Sequence, residues 1–210
     1  MKQYFSELTK IEQKIFKSLS TPDRIQEYMD GLPINFEEGG ETLHSPRIVL
    51  RERKAHCFEG ALFALALCEY HNIECLLLDL ESTLQDESHV VTAFKVGKKW
   101  GALSKTNHAA LQYRDPVYAS LRELTMSYFH EYFLNKNGKK TLRSYTTIAS
   151  RALKKNWVID HKDLWYVDEM FTVKKKIPLI TVQDIVNLRR ATHIERLAGS
   201  ITAWKQKKVH

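Results

Sequence analysis

The stretch His56–His71, HCFEGALFALALCEYH, decides the fold of this chain. Between its polar ends, alanine, leucine and phenylalanine fill nearly every position, so no polar face is left for solvent. A helix that is apolar on all sides is typical of one surrounded by protein. We therefore predict a buried central helix over residues 56–71.

Three short segments after this helix predict strands. They are apolar or alternating and are separated by turn-length breaks such as Gly97-Lys98. The segments are Cys75–Leu80, His89–Val96 and Lys99–Leu103. A helix followed by an antiparallel meander predicts an α+β fold in which the central helix packs on an antiparallel sheet.

The flanking sequence predicts extra helices at both ends, within a single domain over residues 1–210. Apolar spacing and capping residues indicate these helices. They are placed at 6–19, 22–30 and 116–133, with one or two more beyond Thr181; residues 31–46 are predicted as a loop and 164–173 as a further strand. Residues 116–210 thus form a predicted C-terminal helical elaboration.

The composition is that of an ordinary globular protein, with 43% hydrophobic and 27% charged residues in 210. The 32 Lys and Arg residues exceed the 25 Asp and Glu residues, which gives a net charge of +7. An acidic partner would be attracted at long range. The basic residues are scattered along the chain, however, and no nucleic-acid-binding motif gathers them together with aromatic residues.

Cysteine usage and hydropathy indicate a cytoplasmic protein. Three cysteines without framework spacing do not predict disulfides, and the first twenty residues are charged throughout, unlike a signal peptide. The longest apolar run, Ala61–Cys68, is far shorter than the roughly 20 residues that cross a bilayer. Zinc-ligand spacing and phosphate-binding glycine loops are absent from the sequence, so we expect no metal and no cofactor.

Cys57 is the clearest candidate for a reactive residue. It lies where coil becomes the central helix, and the partial positive charge of a helix N-terminus favours a thiolate. Cys68 and Cys75, within the helix and a strand, fit a core role. A thiolate needs an imidazole partner for acyl transfer, and His89, which begins the second predicted strand, is the candidate.

The order of these segments resembles the transglutaminase-like branch of the papain-like cysteine enzymes. The likeness covers residues 22–105 and is carried by RKAHCFEGALFALAL, HNIEC, HVVTAFKV and KKWGALS. It implies that Cys57 is the nucleophile and His89 its base. In that family an Asp, commonly four positions after a Trp, orients the His.

The third catalytic position departs from the family pattern, because Trp100 plus four is Ser104. A Ser hydroxyl can accept a hydrogen bond from imidazole and fix its tautomer, but it cannot neutralise imidazolium as a carboxylate would. Asn107 is the alternative, since an amide oxygen orients His in the papain arrangement. Weaker candidates are His108, Asp79 and Asp86.

Two further residues flank the nucleophile. His56 precedes Cys57 and Glu59 lies in the same first helical turn, so both are candidates for substrate contact. The sequence thus predicts a cysteine-dependent hydrolase or acyl transferase for a peptide or another amide or ester. The alternative is a catalytically decayed basic module that binds nucleic acid or an acidic protein.

Overall fold

The computed structural model describes residues 3–206, and its centre is a six-stranded antiparallel sheet. The strands are β1 (Cys75–Glu81), β2 (His89–Val96), β3 (Lys99–Leu103), β4 (Arg114–Tyr118), β5 (Ser144–Ile148) and β6 (Ile177–Pro178). Their spatial order is β4-β3-β2-β1-β5-β6, and every neighbouring pair is antiparallel. The predicted meander is therefore the middle of the sheet, with β1 paired to β2 and β2 to β3.

Eight α-helices surround this sheet in the described part of the chain, after a 3-10 helix at Gln3–Glu7. The helices are α1 (Lys10–Ser18), α2 (Pro22–Asp30), α3 (Pro46–Glu52), α4 (Cys57–Tyr70), α5 (Leu121–Ser127), α6 (Trp165–Val173), α7 (Val182–Val186) and α8 (His193–Gly199). Among residues 3–206, no helix combines the length and the apolar run that crossing a bilayer requires.

The sheet separates two hydrophobic cores. Helix α4 fills the centre of the larger core, and its residues from Phe58 to Cys68 are all buried. The smaller core lies on the opposite face, where α5 and the turns after it cover the sheet. The predicted α+β arrangement, a central helix packed on an antiparallel sheet with helices at both ends, is confirmed.

A close approach seats α4 against the segment that follows β3. A Cβ atom placed on Gly60 would lie 2.3 Å from the Cβ of Lys105, so only glycine permits this packing. A second contact comes from β2, where the Thr92 hydroxyl donates to the Ala61 carbonyl of α4 over 2.5 Å. Together these contacts fix the first turns of α4 relative to the ends of β2 and β3.

The prediction of a strand at 164–173 is wrong, because this segment forms α6. Leu164, Val167 and Phe171 are its buried residues, and their spacing of three and four is helical. The aromatic and β-branched residues of the segment favoured a strand on propensity, but packing against the helix side of the sheet decided the outcome.

The region 116–210 is also less helical than predicted. Pro116 lies in β4, an edge strand, where a residue without an N–H is tolerated. The helix predicted over 116–133 is reduced to α5, while β5 and β6 add two strands further along the chain. At the N-terminal side, α3 was not predicted, and the helix predicted over 6–19 begins only at Lys10, after its Thr9 cap.

The glycine at position 60 can be tested by substitution. Gly60→Ala should lower the free energy of unfolding by about 1 to 3 kcal/mol, because the added methyl group overpacks against Lys105. Urea denaturation measures the change. Gly39→Ala is the matched control, since a Cβ there meets no atom within 4 Å. Equal stabilities of the two variants would contradict the close packing.

Candidate active site

Cys57, His56 and His89 line one cavity of about 280 Å³ at the end of the sheet. Cys57 is the first residue of α4 and is half-buried, so its sulfur is at the helix N-terminus, as the sequence predicts. His89 is the first residue of β2. The rest of the wall comes from the loops after β1 and β3 and from Ile34, Glu131, Tyr132, Phe133, Asn135 and Gly199.

Ser104 holds the imidazole of His89. The Ser104 Oγ lies 2.8 Å from His89 Nε2, and both side chains are buried. The same hydroxyl donates its proton to the Leu111 carbonyl over 2.6 Å. Because a hydroxyl has one proton, Ser104 must accept from Nε2–H, which leaves Nδ1 as the ring nitrogen with a free lone pair.

Gln26 fixes Ser104 from the neighbouring helix α2. Its Nε2 donates to the Ser104 carbonyl over 2.7 Å, and its Oε1 accepts from the Ser104 N–H over 2.9 Å. The amide thus pairs with the backbone beyond the end of β3 as a neighbouring strand would. The sequence analysis missed Gln26; its only signal was a polar residue on the buried side of an amphipathic helix.

The electrostatic environment favours a thiolate at Cys57. Burial alone would raise the pKa of this thiol, but hydrogen bonds and positive charge from His56 and His89 lower it to about 5. The positive end of the helix dipole acts in the same direction. For Cys68, hydrogen bonding to Cys75 and burial raise the pKa well above its usual value.

His56 is both the N-cap of α4 and a neighbour of the sulfur. Its Nδ1 accepts from the Phe58 N–H over 3.2 Å, and its Nε2 donates to the Thr42 carbonyl over 3.0 Å. Burial would lower the pKa of His56, whereas its hydrogen bond to Cys57 and the charges of Cys57 and Glu59 raise it to about 9. The hydrogen bond from the Phe58 N–H requires an unprotonated Nδ1, so protonation of His56 breaks it.

Glu59 is a buried carboxylate rather than a substrate contact, which corrects the expectation from sequence. It is fully buried and does not line the cavity. Its oxygens accept from the backbone N–H groups of His44 and His56, both at 3.0 Å, and from the side chains of Asn35 and Thr42. His44 Nδ1 also lies 3.1 Å from Oε1. Burial raises the pKa of Glu59, but the charge of His56 and these donors lower it more strongly.

Asn107 lines the same cavity as His89, but its amide is hydrogen-bonded elsewhere. The Asn107 amide pairs with the backbone of Trp204, donating to its carbonyl over 3.1 Å and accepting from its N–H over 2.8 Å. The weaker candidates are also engaged elsewhere: His108 with the Gly199 carbonyl, and Asp86 with Thr141 and the Glu87 N–H. Asp79 lies in β1, and burial with the charge of Glu81 raises its pKa to about 7.

Within the described range, no three His, Cys, Asp or Glu side chains are grouped so that they could hold a metal ion. Neither a protein-family model nor a curated protein matches the chain. The atoms of the site define its chemistry. They offer a thiol of low pKa, an imidazole of defined tautomer, and a helix N-terminus that stabilises negative charge.

The pH dependence of Cys57 alkylation tests the lowered pKa. The thiolate is the reactive form, so the iodoacetamide rate should be half-maximal near pH 5, where an ordinary thiol requires about pH 8.5. Mass spectrometry of the Cys57 peptide at a series of pH values gives this profile. Cys57→Ala provides the background from Cys68 and Cys75. A midpoint near that of an ordinary thiol would show that Cys57 is not activated.

The buried carboxylate makes a separate prediction about stability. Glu59→Gln should cost about 2 to 5 kcal/mol at neutral pH, because an amide N–H₂ replaces an oxygen that several buried donors share. Above the ordinary Glu pKa the native charge contributes fully. As pH falls toward the lowered native pKa, that contribution is lost and the gap between the two proteins should narrow. Urea titrations at several pH values measure it, with exposed Glu38→Gln as the control.

Proposed function

We propose that this chain is a cysteine-dependent hydrolase or acyl transferase acting on an amide or ester bond, with a transglutaminase-like, papain-like architecture. The observation that carries the proposal is the hydrogen-bond direction in the cavity. Ser104 accepts from His89 Nε2–H, so the basic Nδ1 is free for the Cys57 thiol, whose pKa is low. A nucleophile, a base and a group that orients the base are the parts that acyl transfer requires.

In the proposed reaction, the Cys57 sulfur attacks the carbonyl carbon of the substrate and His89 Nδ1 holds the thiol proton. The carbonyl oxygen becomes an oxyanion at the N-terminus of α4, where the first N–H groups of a helix have no intrahelical acceptor. The imidazolium then gives its proton to the leaving amine or alcohol, the carbon–leaving-group bond breaks, and a thioester remains on Cys57.

The second half of the reaction releases the acyl group. His89 Nδ1 takes a proton from water, whose oxygen attacks the thioester carbonyl, and the thiol leaves with that proton as the acid forms. An amine in place of water gives transfer. Both outcomes use the same residues, so the proposal covers hydrolase and transferase alike.

With Ser104 as the orienting group, His89 lacks the charged partner that an Asp would supply. A hydroxyl fixes the tautomer of His89, but it does not stabilise imidazolium with a full negative charge. The buried carboxylate of the site is Glu59, and it lies near His56, 3.5 Å from Nε2, rather than against His89. The positive charge that supports the thiolate thus comes from His56 on the helix side as well as from His89.

Substitutions of the three residues test the proposal before any substrate is known. Below the Cys57 pKa of about 5, where the thiolate fraction limits the rate, His89→Ala should slow alkylation of Cys57, and Ser104→Ala should slow it about tenfold, since the loss of about 1.4 kcal/mol raises the pKa by about one unit. The assay is the iodoacetamide rate at about pH 4, followed by hydrolysis of a generic ester such as p-nitrophenyl acetate.

Asn107→Ala is the matched control, because its amide binds the Trp204 backbone and should leave the rate unchanged. Normal rates in both His89→Ala and Ser104→Ala would refute the proposed site. A collapse in Asn107→Ala alone would instead favour the papain-like third residue.

A further inference from the structure

The backbone of Leu111, which accepts the Ser104 proton, has a conformation that needs an explanation. Its φ of 61° is left-handed, and for a residue other than Gly, Asn or Asp this costs about 1 kcal/mol or more. The other non-glycine residues with positive φ have local reasons. Arg53 and Asn72 are at helix C-termini, and Glu37 opens a turn closed by the Gly40 N–H.

Two side chains occupy both polar groups of Leu111. The Leu111 N–H donates to Glu131 Oε2 over 2.7 Å, and the Leu111 carbonyl accepts from Ser104 Oγ over 2.6 Å. Left-handed backbone at this position is therefore held by the very hydroxyl that orients His89 and by a carboxylate from the segment after α5.

Glu131 is itself firmly placed. Its Oε1 accepts from Arg114 Nη2 over 2.6 Å, and the Arg114 guanidinium lies 4.1 Å from the centre of the Tyr128 ring. Arg114 Nε also donates to Ser127 Oγ over 3.1 Å. Since the ion pair is only partly exposed, Glu131 presents its second oxygen to Leu111 in a fixed direction.

We propose that Glu131 is a positioning residue for the His89 imidazole: it fixes the left-handed peptide of Leu111 and so turns the Leu111 carbonyl toward Ser104. The inference rests on the proposed function. If that carbonyl turned away, the Ser104 proton would be free to point at His89 Nε2. The imidazole would then carry its proton on Nδ1, where it could no longer accept the thiol proton.

The experiment compares Glu131→Ala with Glu131→Gln and has two readouts. The first is the iodoacetamide rate of Cys57 at about pH 4, below the Cys57 pKa of about 5. The second is the His89 tautomer, from the ¹⁵N chemical shifts of its ring nitrogens in the full chain. Glu131→Ala should slow alkylation about tenfold, as Ser104→Ala does, and should shift the tautomer away from Nε2–H. Glu131→Gln keeps only one of the two acceptor oxygens, so it should restore the rate and the tautomer in part.

Glu123→Ala is the matched control, since this carboxylate accepts a backbone N–H, that of Ala119 over 2.6 Å, but does not line the cavity. It should leave the rate and the tautomer unchanged. The double variant Ser104→Ala, Glu131→Ala should be no slower than Ser104→Ala, because both residues act through one hydrogen bond. A Glu131→Ala protein with normal rate and tautomer, or an additive double variant, would overturn the inference.

A second pair of variants keeps the test decisive if Glu131→Ala does not fold. Leu111→Val disfavours positive φ and should shift the tautomer, whereas Leu111→Asn tolerates it and should not. A normal tautomer in Leu111→Val would overturn the inference. Its failure is distinguishable from failure of the proposed function, because the latter requires Ser104→Ala and His89→Ala to react normally as well.

Discussion

The contact on which the site depends is the one between Gly60 and Lys105. Because Gly60 has no side chain, the segment after β3 lies directly against the first turns of α4. Lys105 then reaches α2 and donates through Nζ to the Met29 and Leu32 carbonyls at its C-terminal end. Ser104, one residue earlier, is held by Gln26 of the same helix. Two consecutive residues therefore tie α2, α4 and the sheet together beside the cavity that Cys57 and His89 line.

The groups on the two sides of Cys57 differ in charge. On the helix side, the fully buried carboxylate of Glu59 lies beside His56 and accepts hydrogen bonds from backbone and side-chain donors. On the sheet side, His89 has a neutral hydroxyl as partner, and the next group along, the Leu111 carbonyl, is neutral too. A buried ionised group is tolerated only where enough donors compensate for lost hydration, and that condition is met at Glu59. The sheet side instead fixes the His89 tautomer, because each hydrogen bond from His89 through Ser104 to Leu111 has a defined donor.

The sequence predicted what depends on local pattern. An all-apolar helix, three strands after it, a cysteine at the helix start and a histidine at a strand start were predicted from pattern, and Ser104 came from the family resemblance, at the position four residues after Trp100. Contacts between distant segments could not be predicted from the sequence, since no local pattern links Glu131 to Leu111 or Gln26 to Ser104. Short apolar runs such as 164–173 do not distinguish strand from helix by pattern alone. The basic binding module suggested by the net charge stays a prediction.

Strand alternation explains why such a site lies at the end of the sheet. Thr92 faces α4, as its bond to Ala61 shows, and Val90 packs in the same core. His89 is paired with Leu80, which belongs to the smaller core, so alternation along β2 directs the imidazole away from α4. Within the sheet this would separate it from Cys57. As the first residue of β2, however, His89 borders a cavity whose wall includes both Cys57 and Tyr132, a residue of the opposite core. A histidine deeper in β2 on either face would be covered, by α4 or by the smaller core, whereas at the first position of β2 the imidazole borders the cavity that Cys57 also lines.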